Sequence, residues 1–171
     1  MAKKTISIFG STGSIGATTL EIIRENKEKF DVKVLTANKN IDDLILLANE
    51  FNPEAICFEK ESDLEKIKNE INAEKIDYYI GDEGLLECAK IGVDIVIAGI
   101  VGLAGLRPLL ESVKSSKKIC IANKECFVSA GSLIIIPLSE TGPHPFASVN
   151  VNVPLPLALE TVPPLGVTVE V

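Results

Sequence analysis

The stretch SIFGSTGSIGATTLEII, residues 7–23, sets Gly10, Gly13 and Gly16 three residues apart between two differently patterned apolar segments. Thr5 to Phe9 is short, β-branched and apolar, the pattern of a buried strand. From Ser14 onward Ile15, Leu20, Ile22 and Ile23 interleave with polar residues, so a helix is expected to begin near Ser14. A strand, a glycine turn and a helix start leave unpaired backbone N–H groups at the positive end of a helix dipole, a geometry that favours an anion. Gly10 permits the tight turn, Gly13 lets a pyrophosphate approach the backbone, and Gly16 lets the helix close on the strand. The spacing is G-x-x-G-x-x-G rather than G-x-G-x-x-G, and no lysine follows the last glycine, which excludes the phosphate loop of an ATPase. The competing reading is a tight strand-to-helix turn with no ligand.

Downstream, strand and helix patterns alternate. Strands are expected at Val32 to Ala37, Ala55 to Phe58, Tyr78 to Ile80, Val93 to Ala98 and, as the last convincing one, Ile119 to Ala122. Helices are expected over Ile41 to Phe51, Asp63 to Ile71, Glu83 to Ala89 and about Leu106 to Val113. This alternation implies an α/β fold, a doubly wound, mostly parallel sheet of Rossmann type. Ligands of such sheets bind beyond the carboxyl ends of the strands. The segments to inspect are therefore the glycine loop, Asn38-Lys39-Asn40, Gly99 to Gly105 and Asn123-Lys124-Glu125.

Composition narrows the partners. A net charge of −7 argues against nucleic acid or an anionic membrane, and no apolar run approaches the roughly 20 residues that span a bilayer. MAKK leads directly into a strand with no signal peptide, so a cytoplasmic location is expected, or the plastid stroma after removal of a transit peptide. Cys57, Cys88, Cys120 and Cys126 form no C-x-x-C pair and read as buried free thiols rather than a zinc or redox site.

The nucleotide is suggested by the second segment. NAD-selective domains place an acid after the second strand to bond the ribose 2′-hydroxyl. Here TANKN holds no acid and one cation, and Lys39 between two amides suits a 2′-phosphate, so NADP(H) is expected over NAD(H). The alternative is that Lys39 is a solvated turn residue and Asn40 a helix cap. Gly99, Gly102 and Gly105 would let backbone approach a flat ring such as nicotinamide, or merely pack loop on helix. In IANKECFVSAG, Lys124 could steady an anionic substrate, with Asn123 and Glu125 either bonding ribose or nicotinamide or capping a helix.

FGSTGSIGATTLEII, LTANKN, AGIVGLAGLRPLLESV and IANKECFVSAG, in this order and spacing, resemble the N-terminal domain of 1-deoxy-D-xylulose 5-phosphate reductoisomerases, from about Lys4 to Gly131. The resemblance implies that Gly10, Thr12, Gly13, Ser14, Ile15, Asn38, Lys39, Asn40, Asn123 and Glu125 bind NADPH and that Lys124 reaches the substrate. Asn38 stands where the family often has glycine or alanine. It further implies conversion of 1-deoxy-D-xylulose 5-phosphate to 2-C-methyl-D-erythritol 4-phosphate in non-mevalonate isoprenoid biosynthesis, with Mg²⁺ or Mn²⁺ assisting, and a homodimer. No individual catalytic residue is assigned by the matching motifs.

The pattern changes after Gly131. Family members continue into P-V-D-S-E-H, whose acids bind the metal. Here IIIPLSETG keeps Ser139-Glu140 but has Leu138 in place of the aspartate, so no metal ligand is expected in this chain. No Lys or Arg occurs from Glu125 to Val171, seven of nine prolines follow Ile136, and the only histidine is His144. The chain is therefore expected to divide into a nucleotide-binding domain, 1–136, and an atypical proline-rich tail, 137–171. A truncated or out-of-frame end explains the tail better than a genuine small domain, and such a chain is expected to be inactive alone. Two other classes stay open: a semialdehyde or homoserine dehydrogenase-like domain, for which Cys126 would be the nucleophile of the former, and a non-catalytic NADP-binding module. A short-chain dehydrogenase is excluded, since Tyr78 and Tyr79 are followed four residues on by Asp82 and Glu83 rather than lysine.

Overall fold

The computed structural model describes residues 2–72, 75–123, 125, 126 and 148–151. Seven strands form one sheet: β1 (Lys4–Phe9), β2 (Phe30–Thr36), β3 (Ala55–Phe58), β4 (Asp77–Ile80), β5 (Ile95–Ala98), β6 (Lys118–Ile121) and β7 (Ser148–Val151). Every neighbouring pair is parallel, in the order β4-β3-β2-β1-β5-β6-β7. The helices are α1 (Ser14–Glu25), α2 (Ile41–Phe51), α3 (Leu64–Glu70), α4 (Gly81–Lys90) and α5 (Leu106–Ser115).

Each helix buries one stripe, and these stripes sort into two cores on opposite faces of the sheet. Gly16, Leu20 and Ile23 of α1, spaced four and three apart, face the sheet with Leu44, Ile45 and Ala48 of α2 and Ile67 of α3. They meet Ile6, Ile8, Val32, Leu35, Ile56 and Phe58 from the strands. On the other face Cys88 and Ala89 of α4 and Leu109 of α5 pack on Phe9, Val34, Cys57, Val96, Ala98 and Ile121. Strands buried on both sides explain why they read as continuous apolar runs rather than alternating ones.

Strand order reverses beside β1, which has β2 on one side and β5 on the other. Such a reversal splays the following connections to opposite faces and opens a crevice at the carboxyl ends of the two central strands. The loops after β1 and β5 lie there.

Most element ends lie within one or two residues of those expected, β5 for instance opening at Ile95 rather than Val93, and two departures bear on the architecture. Helix α4 begins at Gly81 rather than Glu83, because Gly81 adopts a positive φ of 65° and turns the chain straight from β4 into the helix. Ile119 to Ala122 is not the last strand: β7 pairs with β6 from Lys118↔Ser148 to Ile121↔Val151. It lies ahead of Pro154, the first proline of the following run, so its backbone is free to join the ladder. The rest of the proline-rich tail lies outside the described residues. Cys57, Cys88 and Cys126 are buried free thiols, while Cys120 is half-buried.

Candidate nucleotide-binding site

The glycine loop is built from close contacts that only small residues permit. Gly10 leaves β1 at φ 83°, and a Cβ there would sit 3.1 Å from the Gly99 carbonyl carbon and oxygen, so the loops after β1 and β5 touch. At Gly16 a Cβ would lie 2.4 Å from the Gly10 oxygen and 2.5 Å from Ser11 Cα, which sets how closely α1 approaches the end of β1. Gly13 differs. Its backbone is extended at φ −83°, and the only neighbour an added Cβ would meet is the Gly10 oxygen at 3.4 Å. Space above Gly13 is open.

That opening faces the start of α1. Gly13 occupies the cap position and supplies no side-chain hydrogen bond, and the first turn holds no acid. The amides of Ser14 and Ile15 therefore stand at the positive end of the helix with no carboxylate of that turn to neutralise them. Thr12 is half-buried, Ser14 is exposed, and Ile15, also exposed, lies alongside Gly99, where an added Cβ would meet its side chain at 3.5 Å.

The loop is bonded sideways to β2. The Gly10 amide donates to Thr36 Oγ1 at 2.9 Å, and the Thr36 carbonyl accepts from both the Ser11 amide at 2.8 Å and Ser11 Oγ at 2.9 Å. Directly beyond Thr36 and Ala37 come Asn38, Lys39 and Asn40, all exposed. Asn40 stands at the cap position of α2 without a side-chain capping bond. The Lys39 ammonium has no ion-pair partner among the described residues. The nearest acids in sequence, Asp42 and Asp43, open α2, and Asp42 is paired with Lys66.

The far side of the crevice is organised by Asn123. Its Nδ2 donates to the carbonyls of Ile100 at 2.7 Å and Gly102 at 2.8 Å. Its Oδ1 accepts from the amides of Glu125 at 2.9 Å and Cys126 at 3.3 Å. All the hydrogen-bonding capacity of this buried amide is thus used inside the protein, as a helix cap and a clamp on the loop after β5. Glu125 Oε2 accepts from the Gly102 amide at 3.2 Å, and the Cys126 thiol donates to the Gly102 carbonyl at 3.4 Å. Gly102, at φ 74°, is held from behind and open in front, since an added Cβ would meet nothing within 4 Å. Val101 and Leu103 on either side are 83% and 62% exposed, an apolar rim to the crevice. Lys124 lies outside the described residues.

Cys126 is poorly suited to nucleophilic work. Burial, followed by the charge of Glu125, raises its pKa above the ordinary thiol value, and its proton is engaged with Gly102. No group of three or more His, Cys, Asp or Glu able to hold a metal ion occurs among the described residues, and no described helix is long and apolar enough to cross a membrane. These residues do not fit a metal centre, and no metal-dependent step is assigned to them.

Four connections, after β2, β1, β5 and β6, are therefore joined laterally into one rim around the β1/β5 crevice. Residues 6–131 match the family model of 1-deoxy-D-xylulose 5-phosphate reductoisomerase. The chain belongs to this family. It is 38% identical over 142 residues to the reductoisomerase of Clostridium perfringens, covering 81% of this chain and 37% of that protein. To that of Bacteroides fragilis it is 40% identical over 133 residues, covering 77% and 34%. Among solved structures, the reductoisomerase of Zymomonas mobilis in complex with NADPH superposes with a TM-score of 0.79 at 33% identity, over 88% of this chain and 39% of that one. A reductoisomerase in complex with NADPH, fosmidomycin and magnesium gives 0.76 at 36% identity, over 86% and 36%. The chain thus spans a little over a third of the length of the reductoisomerases it matches.

The sequence pattern assigns the glycines, the TANKN turn and the N-K-E turn to one face, and the described residues of all three stand on it. It does not single out Ser11 and Thr36, whose hydroxyls hold the glycine loop. The available signal is a hydroxyl residue at the end of an otherwise apolar strand, VKVLT, which reads as ordinary β-branched filler.

Proposed function

We propose that this chain is the NADPH-binding part of a reductoisomerase that converts 1-deoxy-D-xylulose 5-phosphate to 2-C-methyl-D-erythritol 4-phosphate. The observation that carries the reading is the start of α1, uncapped and acid-free, set at the sheet's reversal point with open space over Gly13. The amides of Ser14 and Ile15 would hold the pyrophosphate, that of Gly13 being bonded to the Gly10 carbonyl at 3.1 Å. Lys39, with Asn38 and Asn40, would hold the 2′-phosphate, a cation with no acid of its own turn to oppose it. The open backbone at Gly102 and the apolar rim of Val101 and Leu103 offer a flat ring a dry wall. Asn123 and Glu125 would serve by keeping that wall in place, and Lys124 by reaching an anionic sugar phosphate. Bound NADPH supplies the hydride for reduction of an aldehyde. The family match and the likeness to NADPH-bound reductoisomerases support this assignment. A divalent metal and the remainder of a substrate site belong to the proposal at the level of the family.

The test is Gly13→Val. Its backbone lies in a region open to any residue and its surroundings leave room for a side chain, so the fold should survive. The side chain would fill the space where a pyrophosphate meets the amides, and NADPH binding measured by calorimetry should disappear. Binding as tight as in the unmodified chain would show that the glycine turn serves folding alone.

A further inference from the structure

Resting on the nucleotide-binding reading, we propose that Thr36 is a positioning residue that presents the glycine loop to a pyrophosphate through its bonds to Gly10 and Ser11. Three hydrogen bonds converge on this one residue: the Gly10 amide on its hydroxyl, and the Ser11 amide and hydroxyl on its carbonyl. Thr36 and Ser11 are both almost fully buried, at 3% and 1% exposure, so water does not replace these bonds readily. Gly10 is the residue at which the chain turns, with a positive φ, and its amide is not part of the strand ladder. The Thr36 hydroxyl is the group that receives it.

The consequence is directional. Gly10 contacts Gly99 on one side and bears on Gly16 on the other, so a shift at Gly10 moves the start of α1 and the amides of Ser14 and Ile15 with it. Thr36 touches none of the surface where a nucleotide would lie. It acts through the loop. It also begins the segment that leads within three residues to Lys39, so one buried threonine sets the spacing between the loop and that cation.

This separates Thr36 from Lys39 experimentally. The pyrophosphate is common to NADPH and NADH, whereas a 2′-phosphate is present only in NADPH. Thr36→Val keeps the shape and β-branching of the side chain and removes the hydroxyl. Binding of both nucleotides to the full 171-residue chain should weaken about tenfold, the scale of one buried hydrogen bond lost without replacement, with their ratio unchanged. Thr36→Ser, which keeps the hydroxyl, should restore both affinities to within about twofold. A purely structural role would lower the melting temperature of Thr36→Val while leaving affinities at low temperature as they were, and that result would overturn the proposal. So would a loss confined to NADPH, or failure of serine to rescue a folded variant. Should Thr36→Val not fold, Ser11→Ala removes only the hydroxyl bond to the Thr36 carbonyl, and weaker binding of both nucleotides is again expected, unchanged binding contradicting it. Absence of any nucleotide binding by the unmodified chain would instead sink the underlying function along with this inference.

Discussion

Adding one methyl group at Gly16 distinguishes a glycine needed for folding from one needed for a ligand. In Gly16→Ala the new Cβ would lie 2.4 Å from the Gly10 oxygen and 2.5 Å from the Cα and oxygen of Ser11, all backbone atoms. Relief requires α1 to back away from the loop by roughly 0.6 Å before the nearest pair reaches even 3.0 Å, and Leu20 and Ile23 lose packing as it does so. Overpacking of this kind costs about 3 kcal/mol, and replacing glycine by alanine inside a helix returns about 1. The net loss is about 2 kcal/mol, or a melting temperature lower by about 4–8 °C for a chain of this size. Gly13→Ala meets only the Gly10 oxygen at 3.4 Å, so its cost is confined to replacing glycine by the poorer capping residue alanine, about 1 kcal/mol, or half that of Gly16→Ala. Urea denaturation followed by circular dichroism measures both. Equal stability of Gly16→Ala and the unmodified chain would refute the claim that helix and loop are in contact here.

Three further outcomes follow from individual residues. Lys39→Glu replaces attraction with repulsion at the expected 2′-phosphate and should abolish any preference for NADPH over NADH, which paired titrations would show. At the opposite end of the sheet, Asp94 accepts from Lys117 Nζ at 2.6 Å and from the Thr5 amide and hydroxyl, holding its pKa at about 2 against an ordinary 3.8. That lowered value stabilises the fold above pH 3.8 and is lost as pH falls through 2; solvent screening of a partly exposed pair leaves about 1 kcal/mol, and Asp94→Asn should remove this part of the acid dependence without altering nucleotide binding. Given 1-deoxy-D-xylulose 5-phosphate, NADPH and Mg²⁺, the 171-residue polypeptide should show no NADPH oxidation, since Glu125 to Val171 contains no aspartate and the described residues hold no metal-binding group.

Much of the architecture is legible in the sequence because periodicity and burial coincide. Helix α2 runs over Ile41–Phe51 as its pattern implies, since Leu44, Ile45 and Ala48 make a single apolar stripe between an asparagine and an asparagine-proline stop. The strands are legible as apolar runs for the reason that helices cover both faces. Strand β7 is not, because SVNV is short, alternates with a residue that strands disfavour, and lies next to prolines that direct attention away from pairing. At the site, local chemistry is visible and lateral bonding is not. Three glycines announce a turn and a helix start, and the capping reading of Asn123 matches its bonds from the amides of Glu125 and Cys126, but nothing near it in the sequence shows that the same side chain also holds the carbonyls of Ile100 and Gly102. The same holds for Thr36 and Ser11, 25 residues apart in sequence and bonded only because β1 and β2 are neighbours.

The central claim is that the crevice between β1 and β5 receives NADPH in preference to NADH. Isothermal titration of the unmodified chain with each nucleotide, under one buffer and one salt concentration, tests it most directly. Saturable one-to-one binding of NADPH, with NADH weaker by about tenfold for want of a charge-assisted contact at Lys39, is the predicted result. Equal affinities, or no heat with either nucleotide, would contradict it.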